Sequence, residues 1–290
     1  MFQFEFAFLK MLEGLRTEFF NKFFEFITIL GEETVYIFLI CIIYFMFDKK
    51  LAQKLFFIAS ASIGLNCIIK NFVKLDRPFA KGEISCVRPE TATGYSFPSG
   101  HTQIASTCTS ALAFIFKKKW TIIFAVVATL LVGFSRLYLG AHFPLDVICG
   151  ALLGLLCAYF LNKLHNNTKN VYKLYVTTAI ISTLFALIFA IKPNPLYLDF
   201  YKFYGLFLGF LFAVKFEEKF VNFDYSCNTF KKILRVIIGV THAYTLKESI
   251  KLLLVTDSVL VSYFYNTLRY FILVVVVFGL LPWIFKKVKM

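Results

Sequence analysis

The chain has 290 residues, of which 59% are hydrophobic and 19% are aromatic. A soluble globular domain is usually about 45–50% apolar, so the composition excludes a soluble protein and predicts one that lies in a lipid bilayer. The formal net charge is +14. This charge does not indicate a nucleic-acid-binding protein, because the lysines occupy alternate loops between apolar stretches.

The N-terminal segment predicts an amphipathic helix. Apolar residues recur there at helical spacing, with charged residues between them, at Phe2, Phe6, Leu9, Leu12 and Leu15. We expect this helix to lie on the outer membrane surface, with a further spanning helix as the alternative. The segment has neither the basic start nor the unbroken apolar run of a cleavable signal.

Apolar stretches follow along the rest of the chain. They lie near residues 34–47, 53–73, 102–116, 120–138, 145–162, 173–191, 203–214, 233–254 and 259–285. Several are shorter than the ~20 residues that a perpendicular membrane helix needs, so their ends are approximate. The sequence predicts an all-α fold, a polytopic transmembrane helical bundle with an amphipathic N-terminal helix and a C-terminal helical extension.

Basic residues cluster after every second apolar stretch and at the end of the chain. They are Lys49, Lys50, Lys54, Lys117–Lys119, Lys163, Lys169, Lys173, Lys215, Lys219, Lys231, Lys232, Arg235, Lys286, Lys287 and Lys289. By the positive-inside rule these loops are cytoplasmic, and the loops between them face outward. We therefore expect a multi-pass protein of the plasma membrane.

The chain divides most naturally at the polar stretch 162–173. We predict a catalytic core over residues 1–165 and a helical extension over residues 166–290. Of the seven cysteines, Cys86 alone falls in a predicted outer loop, so no intramolecular disulfide framework is implied.

Three short motifs carry the chemistry, and all fall at predicted outer ends of apolar stretches. They are Lys70-x6-Arg77-Pro78, Pro98-Ser99-Gly100-His101 and Ser135-Arg136-x5-His142-x3-Asp146. Together they hold three cations, two histidines and one carboxylate. A phosphate needs fixed positive groups to bind, and its transfer needs a nucleophile and a proton donor.

Local sequence predicts how these residues are arranged. Ser99, Gly100 and His101 directly precede an apolar stretch, so their backbone N–H groups should form an anion-binding helix N-terminus. Pro144 suits the first turn of the helix that follows His142 in the third motif. His142 should therefore lie just before that helix, and Asp146 about one turn further along. Asp146 can then accept one imidazole N–H and leave the other ring nitrogen nucleophilic.

The three motifs together resemble the signature of the type 2 phosphatidic acid phosphatase superfamily, over roughly residues 33–165. The resemblance implies that His142 attacks phosphorus to form a phosphohistidine and that His101 protonates the leaving alkoxide and later activates water. It also implies that Lys70, Arg77 and Arg136 hold the phosphate oxygens. No metal or other cofactor is required.

The resulting expectation is a metal-independent integral membrane phosphatase that acts on a lipid phosphate or a polyprenyl diphosphate at an outward-facing site. Its partners are the lipid substrate and the bilayer, not nucleic acid. A lipid-phosphate transporter or flippase and a vanadium haloperoxidase-like enzyme are the alternatives, and Asp76 could suggest a metal site. The sequence leaves open which lipid is cut and what the oligomeric state is.

Overall fold

The computed structural model describes residues 2–222, 224, 226–253 and 256–290, apart from the side chains of Phe2, Lys81 and residues 251–253. Within this part the chain forms helices and no strand. The helices are α1 Phe2–Gly14, α2 Glu18–Ile29, α3 Glu33–Met46, α4 Lys49–Val73, α5 Gly100–Phe116, α6 Lys119–Tyr138, α7 Pro144–Asn167, α8 Val171–Ile191, α9 Leu198–Phe216, α10 Thr229–Leu253, α11 Val259–Val275 and α12 Leu281–Lys287.

The described residues form two compact units. The first comprises Met1–Tyr36 with Ala61–Asn167, and the second comprises Ile37–Ser60 with Thr168–Met290. Helices α3 and α4 each contribute to both units. The division into a core over 1–165 and an extension over 166–290 stays a prediction.

Each predicted apolar stretch coincides with helix, and the stretch near 259–285 forms α11 and α12. Among the described residues, six candidate membrane spans are long and apolar enough to cross a bilayer, and the bent pair α2 and α3 would make seven if it forms one span. Large apolar side chains of α6, such as Ile123 and Leu130, are exposed, as lipid-facing residues would be. The chain is an all-α, multi-pass membrane protein. Residue 254, the end of the stretch predicted at 233–254, lies outside the described part.

The predicted amphipathic N-terminal segment forms two helices, because Thr17 caps a new helix by accepting a hydrogen bond from the Phe20 N–H. In α1, Leu9 and Leu12 are buried, whereas Leu15, beyond the helix end, is exposed. Leu9 packs with Ile84 and Phe143. Part of the apolar face of α1 therefore packs on protein within the first unit.

Close helix packing places the motif segments of α5 and α7 side by side. A Cβ atom added at Gly150 of α7 would lie 2.6 Å from the Ser99 carbonyl oxygen, and one added at Gly154 would lie 2.5 Å from the Gln103 carbonyl oxygen. Any larger residue would push the two helices apart. The glycines of α7 thus allow the first turns of α5 and α7 to meet.

Candidate active site

The first unit brings the three motifs together where four helices begin or end. Lys70 lies in the last turn of α4, and Arg136 lies in the last turn of α6. His101 and Asp146 lie in the first turns of α5 and α7. Since the Ser99 N–H donates to the Asp146 carbonyl oxygen at 2.9 Å, the start of α5 is fixed directly against the start of α7.

His142 and Asp146 form a buried pair. His142 Nδ1 lies 3.3 Å from Asp146 Oδ2, and both side chains are almost fully enclosed. The Phe143 N–H also donates to Asp146 Oδ2, at 2.9 Å. The carboxylate is thereby held in the orientation in which it can accept the Nδ1 proton.

The other ring nitrogen of His142 lies 3.1 Å from Arg77 Nη1. Because a guanidinium can only donate, this contact requires an unprotonated Nε2. Burial lowers the pKa of His142 well below its ordinary value, and the nearby Arg77 and Lys70 lower it further. The imidazole is therefore neutral at physiological pH, with the proton on Nδ1 and a lone pair on Nε2.

Two of the motif cations hold the loops before α5 and α7. Arg77 donates through Nε to the Gly94 carbonyl at 3.0 Å and through Nη1 to the Ala141 carbonyl at 3.0 Å. Lys70 Nζ donates to the carbonyls of Tyr95 and Ser96. Both cations thus bond to main-chain oxygens beside the histidine.

Arg136 differs from these two cations. It is completely buried, and its Nη1 donates to Thr28 Oγ1 at 2.9 Å. Its Nε and Nη2 are buried with no hydrogen-bond partner among the described residues, as is His101 Nε2. Buried polar groups are normally satisfied, so these three nitrogens beside the motifs have unused capacity for a bound anion.

Ser99 and Gly100 occupy the N-terminus of α5. The Ser99 hydroxyl caps the helix at Thr102, and its oxygen lies 2.9 Å from Thr102 Oγ1. A Cβ atom added at Gly100 would lie 4.0 Å from Lys70 Cε. The structure therefore places Gly100 beside Lys70. The side chain of Ser99 bonds to Thr102 and its N–H donates to the Asp146 carbonyl.

The contacts that Ser96 and Thr28 make in the site were not predicted from the sequence. The Ser96 hydroxyl donates to Asp146 Oδ2 at 2.5 Å and lies 3.4 Å from His142 Nδ1. Thr28 of α2 accepts from Arg136 across 108 positions of the chain. Ser96 adjoins the second motif, which is a weak signal, while nothing near Thr28 in the sequence points to the site.

Asp76, the residue that could suggest a metal site, is exposed. Within the part of the chain that the structure describes, no group of three or more His, Cys, Asp or Glu side chains is placed to hold a metal ion. The fold and the site together define a helical membrane protein with a buried His–Asp pair among three cations.

Two segments of the chain match one family. Residues 51–170 match the PAP2 superfamily, and residues 201–290 match the PAP2 superfamily phosphatase transmembrane extension. The chain therefore belongs to the PAP2 superfamily, with a PAP2 domain followed by the transmembrane extension.

Known proteins are similar to parts of the chain. It is 42% identical over 78 residues to an undecaprenyl-diphosphatase from Sulfolobus acidocaldarius, across 27% of this chain and 37% of the relative. It is 40% identical over 94 residues to phosphatidylglycerophosphatase B from Bacillus subtilis, across 28% of this chain and 46% of the relative. Each alignment thus spans less than half of the relative's length.

One solved structure is similar over a larger part. It is the crystal structure of a transmembrane PAP2-type phosphatidylglycerolphosphate phosphatase from Bacillus subtilis. The likeness has a TM-score of 0.50 and 27% identity, and it covers 58% of this chain and 87% of that chain.

Proposed function

We propose that the protein is an integral membrane phosphatase that removes phosphate from a lipid phosphate or a polyprenyl diphosphate through a phosphohistidine on His142. The observation that carries this proposal is the state of His142. Its Nδ1 is held by Asp146, and its unprotonated Nε2 lies beside Arg77. A fixed, neutral imidazole among cations has the properties of a nucleophile for a phosphoryl group.

In the first step Nε2 attacks phosphorus and forms an N–P bond, while the bond from phosphorus to the lipid oxygen breaks. The leaving oxygen takes the bonding electron pair and receives a proton from His101. Asp146 stabilises the positive charge that develops on the imidazole. In the second step His101 removes a proton from water, the water oxygen bonds to phosphorus, and the N–P electron pair returns to Nε2.

The cations stabilise the transferring group. Arg136 presents Nε and Nη2 as two donors in one plane, which suits two phosphate oxygens. Phosphate entering beside His142 replaces Nε2 as the partner of Arg77, and Lys70 and the first N–H groups of α5, at Gly100 and His101, complete the cradle. Phosphoryl transfer depends mainly on such positioning and charge stabilisation, so this arrangement requires neither a metal nor another cofactor.

The membrane setting supports a lipid substrate. Lys70, His101 and His142 lie at helix ends, so a lipid could keep its chains among the helices while its phosphate reaches the cations. The charge distribution supports a site on the extracytoplasmic face of the plasma membrane. The names of the relatives, an undecaprenyl-diphosphatase and a phosphatidylglycerophosphatase, support the same substrate class.

The test is release of inorganic phosphate by the purified protein in one detergent. Phosphatidic acid, phosphatidylglycerophosphate, a polyprenyl diphosphate and a lipid A phosphate are compared with glycerol phosphate. Chain burial contributes about 0.8 kcal/mol per CH₂, so kcat/KM for one long-chain lipid should exceed that for glycerol phosphate by at least ~10²-fold, equivalent to about 2.7 kcal/mol.

His142→Ala should abolish this release, and His242→Ala is the matched control because His242 is an exposed histidine of α10. Release from none of the lipids would contradict the proposed function. Lipid binding without turnover in the wild type would favour the transporter alternative.

A further inference from the structure

The Arg136 guanidinium is hydrogen-bonded through one nitrogen and has two nitrogens without a partner among the described residues. Its Nη1 donates to Thr28 Oγ1 at 2.9 Å and lies 3.4 Å from Thr91 Oγ1, while Nε and Nη2 have no partner among the described residues. A guanidinium that grips phosphate with its Nε–Nη2 edge must be held in that plane by its remaining nitrogen. Of the two contacts that Arg136 Nη1 makes, the one with the Thr28 hydroxyl is the shorter.

Thr28 is a rigid support for this contact. The residue is fully buried, and its β-branched side chain has few rotamers in a helix. Helix α2, which carries it, packs on α6, which carries Arg136. The ring centroid of Phe24 lies 4.4 Å from the ring centroid of Tyr138 and 5.3 Å from the ring centroid of Phe134. These aromatic contacts fix α2 against the turn of α6 that contains the arginine.

The end of α2 also meets the second motif. A Cβ atom added at Gly31 would lie 2.9 Å from His101 Cβ and 3.0 Å from the His101 carbonyl oxygen. The segment from Thr28 to Gly31 thus contacts two of the residues assigned to phosphate chemistry. It lies before residue 51, where the PAP2 match begins.

We propose that Thr28 is a positioning residue that orients Arg136 for oxyanion binding, so that α2, outside the matched PAP2 segment, is part of the active site. This inference rests on the proposed function, since it assigns Arg136 to the phosphoryl group. Thr28 acts through the arginine and does not itself touch the substrate.

The experiment compares Thr28→Val, which removes the hydroxyl and keeps the shape, with Thr28→Ser, which keeps the hydroxyl. Binding of orthovanadate is measured by calorimetry, and kcat/KM is measured with the preferred lipid phosphate. Thr28→Val should weaken vanadate binding and lower kcat/KM by about ten- to a hundredfold, the usual effect of losing a hydrogen bond to a charged group. Thr28→Ser should stay within about threefold of the wild type.

Two controls separate positioning from a general loss of structure. Thr109→Val makes the same change at a buried position of α5 whose hydroxyl donates to the Ala105 carbonyl, and it should leave vanadate binding unchanged. In an Arg136→Ala background, Thr28→Val should have no further effect, because both changes remove the same interaction. If Thr28→Val does not fold, Thr28→Cys, which also replaces the hydroxyl, takes its place.

Wild-type vanadate affinity in Thr28→Val would overturn the inference. An equal loss of vanadate affinity on Thr28→Val in the wild-type and Arg136→Ala backgrounds would overturn it as well. Absence of vanadate binding by the wild type would overturn it as well. A wild type that binds vanadate but releases no phosphate from any lipid would contradict the proposed function alone, and the binding data would still decide the role of Thr28.

Discussion

Ser96 lies between the two members of the His142–Asp146 pair. Its hydroxyl donates to Asp146 Oδ2 at 2.5 Å, and the residue is fully buried. Ser96→Ala removes a hydrogen bond to a buried carboxylate, so Asp146 should hold the His142 ring less firmly in its orientation. We expect kcat to fall about tenfold, equivalent to about 1.4 kcal/mol, with little change in KM.

The measurement is steady-state kinetics with one lipid phosphate. Ser60→Ala is the control, because Ser60 is also buried and its hydroxyl donates to the Phe56 carbonyl. A change in KM with kcat unaltered would mean that Ser96 supports substrate binding and not the nucleophile.

Arg77 contacts the unprotonated ring nitrogen of His142, and it contributes to the low pKa of that imidazole. Removing its charge in Arg77→Gln should raise the pKa of His142. The neutral imidazole is the active form, so activity is lost as pH falls through this pKa. The acid limb of kcat/KM should therefore move to higher pH in the variant.

Wild type and variant are compared on the same lipid, so that substrate ionisation affects both profiles equally. Arg88→Gln provides a matched change at an arginine that is paired with Glu32 and Glu90, and it should leave the acid limb in place. An acid limb that stays fixed or moves to lower pH in Arg77→Gln would contradict the assigned charge state.

At the level of elements, α1 supports the start of α7. Glu5 is buried, and its Oε1 accepts a hydrogen bond from the Leu145 N–H at 3.0 Å. A carboxylate at a helix N-terminus stabilises otherwise unpaired N–H groups, usually by about 1 kcal/mol. Glu5→Ala should therefore lower the thermal unfolding midpoint and reduce kcat, since Asp146 lies in the same turn.

Glu18→Ala removes an exposed carboxylate from the first turn of α2, where solvent weakens its effect, so it should lower the midpoint less than Glu5→Ala and leave kcat unchanged. Glu5→Gln keeps an oxygen acceptor and should lie between the wild type and Glu5→Ala. Equal unfolding midpoints for Glu5→Ala and Glu18→Ala would show that α1 does not stabilise α7.

The helices were largely predictable from the sequence because apolar stretches and capping residues act locally. The N-terminal segment was predicted as one helix, and the break at Leu15–Thr17 depends on a Thr17 cap and on Arg16, whose Nε donates to the Tyr138 carbonyl. The pairing of His142 with Asp146 was also predictable, because Asp146 follows His142 by four positions and lies in the first turn of the helix that begins at Pro144. Contacts such as Thr28 with Arg136 were not predictable, since they arise when distant helices pack.

At the level of the whole molecule, lysine placement predicts that the loop containing Cys86 is outside and that the segment containing Cys227 is inside. Both cysteines are partly exposed. A membrane-impermeant maleimide applied to intact cells should label Cys86, whereas Cys227 should react after permeabilisation. Burial raises the pKa of the Cys86 thiol, so labelling should be faster at mildly alkaline pH.

Cys86→Ser and Cys227→Ser identify the labelled positions, and the remaining described cysteines are buried except for the partly exposed Cys149. Labelling of Cys227 before permeabilisation, with Cys86 protected, would place the active site on the cytoplasmic side.

Detection of the covalent intermediate on His142 tests the proposed phosphatase mechanism. The protein is mixed with a lipid phosphate that carries a labelled phosphoryl group and is quenched in alkali within the first turnover. A nucleophilic His142 should give alkali-stable, acid-labile label on the peptide that contains it, with none in His142→Ala and normal labelling in His242→Ala. Phosphate release that continues in His142→Ala, or turnover by the wild type without label on His142, would contradict the phosphohistidine mechanism.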